Sequence, residues 1–236
     1  MVRRLVPLVA ASAAVAALVV WAVLPGAHRS GPVSAPTTSV PPSTTPAPTT
    51  TTPPPTTTTV DLGALPQTDA LPSATSPQFL AAVQVLFRAI VAGTPATAGV
   101  AFFPQSAYLQ VKDIANATTD YQTRLVGEYD LDILAVHAEL GGAATAPLTG
   151  VAVPMQYAHW VPPGTCDNGV GYYEVANSRM VYTEAGVTRS FGIASLISWR
   201  GEWYVVHLGA VVRSGGGGVV LDPESGAGRS APSSTC

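Results

Sequence analysis

V-T-R-S-F-G-I-A-S-L-I-S-W-R-G-E-W-Y-V-V-H-L-G-A-V-V, residues 187–212, decides the fold. Two long runs of strand-forming residues meet at Arg200-Gly201, which predicts a β-hairpin turning there. Pairing Ser198 with Trp203 sorts the side chains onto two faces, because they alternate along a strand. Phe191, Ile193, Ile197 and Trp199 then lie across from Tyr204, Val206, Leu208 and Ala210, an apolar face that belongs in a core. Gly192, Ala194, Leu196, Ser198, Trp203, Val205, His207 and Gly209 make a lighter face that can line a cavity or meet solvent.

Upstream of this hairpin, 151–157, 170–175 and 179–183 read as short strands, with Glu184-Ala185-Gly186 turning into the hairpin. Before Gly150 the period becomes helical. Ser76-Pro77 is an N-cap and first-turn signal, followed by Phe79, Val83, Leu86, Phe87 and Ile90 at spacings of three and four, and stopped by Gly93-Thr94-Pro95. A shorter helix follows Pro104 through Tyr108 and Val111. Thr118 or Thr119 can cap a long helix whose stripe is Leu125, Tyr129, Ile133, Val136 and Leu140, ended by Gly141-Gly142. Helices first and an antiparallel meander afterwards is an α+β order, expected over 77–213, with three helices on one face of a curved sheet. Glu128, Asp130 and Asp132 read as a solvated cluster too tightly spaced for one helical face, and Asp120 with Arg124 as a helix-surface ion pair.

The N-terminal third is of another kind. Arg3 and Arg4 precede an apolar run over 5–24, long enough as a helix to cross a bilayer core of about 30 Å. Pro25 sits three residues before a cleavage point after Ala27, so 1–29 reads as an uncleaved signal-anchor, with a cleaved signal and secretion as the alternative. The two arginines keep the N-terminus cytoplasmic and place the rest outside. From residue 30 to 76 the chain is largely Pro and Thr and cannot bury enough apolar surface to offset its ordering entropy. It reads as a disordered stalk, bare or O-glycosylated, extending on the order of 100 Å. At the other end, residues 214–236 read as an irregular Gly/Ser-rich tail.

Net charge is -3 and only 11% of residues are charged, which leaves no electrostatic footprint for nucleic acid. Lys112 is the only lysine, and the Ala, Gly, Val and Pro bias suggests a GC-rich bacterial genome.

F-F-P-Q-S-A-Y-L-Q-V-K at 102–112, W-V-P-P-G at 160–164 and the strand run from Ser190 to Gly209 resemble an uncharacterised actinobacterial family of exported, membrane-anchored proteins. The element order of the domain resembles the NTF2-like (cystatin-like cone) architecture. That architecture hosts isomerases, dehydratases and binding modules alike, so it implies no catalytic residue here.

Cys166 and Cys236 are the only cysteines, and in an exported chain an even count favours a disulfide; Cys166 as a nucleophile with His159 or His207 is the competing use. His137, His159 and His207 show no metal-ligand spacing, and no metal or cofactor is implied. His207 beside Trp203 and Tyr204 could serve as an acid or base in a cavity. Tyr157, Trp160, Tyr172, Tyr173 and Trp203 form a candidate aromatic binding set for a protein, glycan or lipid of the cell envelope, with ordinary packing as the other reading. The leading expectation is a non-enzymatic, membrane-anchored extracytoplasmic binding or scaffolding domain. An envelope enzyme acting on a small apolar substrate through His207 is the alternative.

Overall fold

Ser76 starts the first helix as its position predicts: its Oγ accepts from the Phe79 N–H at 3.4 Å, Pro77 takes the first helical position, and Gly93 closes the helix at φ 63°. In this computed structural model, which describes residues 60–141 and 147–232, α1 (Pro77–Ala92) buries Phe79, Val83, Leu86, Phe87 and Ile90. The apolar run 5–24, the Pro/Thr segment as far as residue 59 and Cys236 lie outside the described residues. Among those described, no helix is long and apolar enough to cross a membrane.

The described residues are α+β, with three helices and a six-stranded antiparallel sheet. α2 (Gln105–Val111) buries Ala107, Tyr108 and Val111. α3 begins at Ala117–Asp120, passes through a π-helical turn at Tyr121–Leu125 and continues over Val126–Glu139. Its stripe of Leu125, Tyr129, Ile133, Val136 and Leu140 is buried as the spacing requires. Asn116 rather than Thr118 or Thr119 precedes the helix, and it makes no side-chain cap bond.

The sheet is built on a longer hairpin than the one predicted at 187–212. β3 (Tyr172–Glu184) and β4 (Val187–Trp199) pair from Glu174 opposite Ile197 to Glu184 opposite Val187, with Ala185 at φ 48° and Gly186 at φ 79° in the turn. The sequence suggests two strands where β3 is one, because Asn177 adopts φ 54° inside it and breaks the apolar pattern. Four short strands flank this pair. β1 (Leu148–Ala152) and β2 (His159–Val161) share the outer edge of β3, while β5 (Glu202–His207) and β6 (Glu224–Ser225) share that of β4. β1 ends before Pro154, and residues expected to continue it, Met155–Tyr157, form a single 3-10 turn instead.

The β4–β5 register is the expected one, with Ser198 opposite Trp203. Arg200 at φ 52° and Gly201 at φ 79° form a two-residue turn whose hand matches the strand twist. The register then shifts: Leu196 faces Val205, but Ser195 faces His207, so Val206 is an extra residue in β5. Both faces of β4 are buried from Ser190 to Trp199, so neither meets solvent.

Two segments expected to be irregular are held against the domain. Before α1, Leu62–Ala64 makes a 3-10 turn, the Leu62 carbonyl accepts from Trp199 Nε1 at 3.1 Å, and Gln67 Nε2 donates to the Ser198 carbonyl at 2.9 Å. Residues 60–76 are therefore fastened to the hairpin's end by these bonds, with Gly63 and Pro72 buried. After β5, the Leu221 carbonyl accepts from the Gly192 N–H at 2.7 Å and Glu224–Ser225 pairs with β4, so the C-terminal tail returns to the sheet.

Candidate functional site

The bulge at Val206 determines where His207 sits. An extra residue in one strand turns its neighbours' side chains out of strict alternation. His207 is thereby separated from Trp203 and placed with Val206, Ser195 and Ile197 on the wall of a cavity of about 510 Å³. β3 supplies Tyr172, Glu174 and Ala176 to the same wall, α2 supplies Tyr108, Val111 and Lys112, and the π-helical turn of α3 supplies Arg124 and Leu125. π-turns recur at functional sites because they push side chains out of the helical register. Val211 and Val212, 55% and 90% exposed, complete the lining. Concave pockets of this size suit small molecules, and this one mixes apolar residues with Lys112, Arg124, Glu174 and His207.

The polar groups each have a definite state. Glu174 Oε1 accepts from Ser195 Oγ at 3.0 Å, whereas its buried Oε2 has no hydrogen-bond partner and lies 4.0 Å from His159 Nε2. Lys112 Nζ donates to the Cys166 carbonyl at 2.7 Å, and burial pulls its ammonium below the usual range. Arg124 holds Asp120 through Nε and Nη2, at 2.7 and 2.6 Å, as the four-residue spacing suggests. The Tyr108 hydroxyl donates to the same carboxylate, and burial, with Asp120 beside it, raises that phenol well above its ordinary value. Burial pushes Tyr172 up to about 12. His207 is lowered to about 4, first by burial and then by the charges of Arg124 and Arg213, so it is neutral at pH 7.

Behind His207 stands a buried ion network that the sequence places in solvent. Asp132 is fully buried, and Glu128 four residues earlier does share its face, so neither belongs to a solvated cluster. Asp132 Oδ2 accepts from the Gly209 N–H at 2.7 Å, and Oδ1 from the Val219 N–H at 2.8 Å. Arg213 completes the site, and Glu128 Oε2 lies 3.5 Å from its Nε and 3.9 Å from His207 Nδ1.

The expected aromatic set divides. Trp203 is 1% exposed and belongs to the core, so it offers nothing to a surface partner, and Tyr172 is a wall of the cavity. Tyr157 and Trp160 remain about a third exposed, with Trp160 edge-on to Tyr173 at 5.1 Å. Tyr204 is turned to α1, its hydroxyl accepting from Gln78 Nε2 at 3.3 Å, away from the role beside His207. His137 Nδ1 bonds the Ile90 carbonyl at 3.0 Å and ties α3 to α1. Among the described residues, no group of three His, Cys, Asp or Glu could hold a metal ion. Cys166 sits in the loop after β2, and its expected partner Cys236 is outside the described residues.

Lys112 and Glu174 are the site residues that the sequence reading passes over. Both leave a signal: one is the chain's single lysine, the other a carboxylate inside an apolar strand. No family model, no curated protein and no solved structure matches this chain.

Proposed function

We propose that this is a membrane-anchored, extracytoplasmic domain of the NTF2-like cone type that binds a small, largely apolar molecule of the cell envelope, with no chemistry done on it. The observation that carries the reading is the cavity of about 510 Å³ between α2, the π-turn and the sheet. A concave cavity of that size gives a small ligand more buried contact than the exposed Trp160 and Tyr157 do. The apolar run 5–24 and the Pro/Thr segment support an anchored, outward-facing arrangement. His207 is uncharged at pH 7 and has the Glu128 carboxylate behind it, so it serves the cavity as a neutral polar wall.

The test uses the full chain in lipid nanodiscs. Ala194→Trp, which fills the cavity from β4, is compared with wild type for the apolar small molecules that remain bound through purification and are released by organic solvent. Roughly one molecule per chain, lost in a variant that keeps its circular dichroism, supports the reading. Equal recovery from both proteins removes it.

A further inference from the structure

Among the described residues, the basic side chains drawn out of full exposure are Arg179, Arg213 and Lys112. Arg213 is held by Asp132, and Arg179 has Glu224 3.8 Å from its Nη1. Lys112 is the exception: no described carboxylate lies within salt-bridge distance of its ammonium, which meets only the Cys166 carbonyl, at 2.7 Å. A cation withdrawn from water is costly unless it is paired. An ammonium carries three N–H donors, and this one spends a single donor on the protein. Lys112 lines the chamber and keeps part of its surface open. Its head is near enough to the rest of the wall for the charges of Arg124 and Glu174 to act on it, and for its own to act on His207. Those neighbours are committed elsewhere. Arg124 grips Asp120, while Glu174 takes Ser195 on Oε1 and turns its buried Oε2 toward His159.

We propose that the chamber takes a single-chain amphiphile ending in a carboxylate, whose head accepts from the Lys112 ammonium and whose chain lies along Val111, Leu125, Ile197 and Val206. This rests on the cavity-binding reading above and names the ligand class. A carboxylate answers the unspent donors, and charge-assisted hydrogen bonds are among the stronger ones a site can offer. One negative charge matches the one cation without a partner. A dianionic phosphate head would set its second charge against Glu174 on the same wall, and an ammonium head would meet Lys112 and Arg124 directly. An alcohol would leave the lysine's charge unpaired. A volume of about 510 Å³ is that of a site for a compact ligand, which suits one chain rather than the paired chains of a bilayer lipid.

The experiment is photolabelling of the full chain in zwitterionic nanodiscs with an octanol bearing a diazirine, a neutral reporter of the cavity, followed by peptide mapping. Octanoate, octyl phosphate, octanol and octane compete for the label in wild type, Lys112→Met and Lys112→Gln. Comparing variants ligand by ligand cancels each competitor's partitioning into the bilayer. Label is expected on α2 and β5 peptides. Octanoate's competition should weaken about tenfold in Lys112→Met, while that of octanol and octane changes by no more than about twofold. Lys112→Gln, which keeps a donor but no charge, carries the comparison if Lys112→Met loses its circular dichroism. Unchanged competition by octanoate overturns the proposal, because no head group then meets the lysine. Equal losses for octanoate, octanol and octane make Lys112 a support of the wall and also overturn it. Octyl phosphate losing more than octanoate overturns the carboxylate in favour of a phosphate head. If the reporter labels wild type and the cavity-filling Ala194→Trp alike, the cavity-binding reading itself fails, and the proposal falls with it.

Discussion

Arg213 grips Asp132 with both ends of its guanidinium, Nη1 to Oδ1 at 2.7 Å and Nη2 to Oδ2 at 2.6 Å. The same carboxylate takes the N–H groups of Gly209 and Val219, so one buried side chain fixes both ends of the loop 209–219. That loop carries Val211 and Val212 to the cavity. Its ends fit closely: a Cβ on Gly218 would fall 2.0 Å from the Leu131 carbonyl oxygen, and one on Gly209 2.7 Å from Asp132 Oδ2.

Asp132→Ala removes the acceptor for two backbone donors and leaves the Arg213 guanidinium, 8% exposed, without its partner. Breaking one side of a buried pair of this kind costs about 3–5 kcal/mol. Urea unfolding of the full chain in nanodiscs, followed by tryptophan fluorescence, measures it. Arg213→Met should cost less, because the two N–H bonds to Asp132 survive. A loss below about 1 kcal/mol for Asp132→Ala would show that the loop is held by something else.

His207 makes stability depend on pH. Its pKa is about 4 in the folded chain, against 6.5 for a solvent-exposed ring. Between those values the unfolded chain binds a proton that the folded one refuses, so the histidine's contribution is intact above about pH 6.5 and lost as the pH falls toward 4. The full swing is about 3 kcal/mol. Glu128, Asp132, Arg124, Arg213 and Lys112 all face or act on the ring, and the carboxylates moderate the swing. Comparing wild type with His207→Gln across this range isolates the term. A difference in unfolding free energy that stays flat with pH would remove it.

The helices were legible because their signals are local. A serine, a proline and apolar residues at three-four spacing specify α1 without reference to anything distant, and the stripe of α3 does the same. Ser198 opposite Trp203 was legible too, since a two-residue turn fixes its own register. The bulge was not: nothing in W-Y-V-V-H marks Val206 as the extra residue, and one unmarked insertion changes the side on which His207 emerges. Asp132 misled for a related reason. An acidic residue near other acidic residues reads as solvated until its partner, Arg213, is brought from 81 positions away by the fold.

Gly228 is where the C-terminal tail passes closest over Arg179 among its glycines. It adopts φ 69°, and a Cβ there would lie 2.0 Å from Arg179 Nε. Arg179 is buried, donates to Ser190 Oγ through Nε and Nη2, and reaches the Asp222 carbonyl at 2.7 Å, so it fastens tail to sheet. Gly228→Ala should displace this clasp, and hydrogen exchange at the Gly192 amide, which donates to the Leu221 carbonyl, should accelerate by tenfold or more. The Ile90 amide in α1 serves as an internal control. Unchanged protection at Gly192 would mean that the tail is held without Arg179.

A bond between Cys166 and Cys236 would tie the same tail to the loop after β2. Cys166 sits at φ 56° in a loop tied to the end of α2 by the Lys112 ammonium on its carbonyl and by the Asp113 N–H on the Asp167 carbonyl, at 2.7 and 2.9 Å. A loop held to the end of α2 at two successive residues presents its sulfur at a fixed place, which lowers the entropy of pairing with a tail already fastened at Asn177, whose Nδ2 donates to the Ala231 carbonyl. Closing about 70 residues stabilises by about 2–4 kcal/mol in the chain-entropy account. The full chain, purified without reductant and denatured, should titrate with no free thiol and show two after reduction. Cys166→Ser should lower the urea midpoint of the oxidised protein and leave that of the reduced protein in place. Two reactive thiols in the unreduced chain would refute the bond, and an unchanged midpoint would show that the tail's contacts with Arg179 and Asn177 already supply what the bond was thought to add.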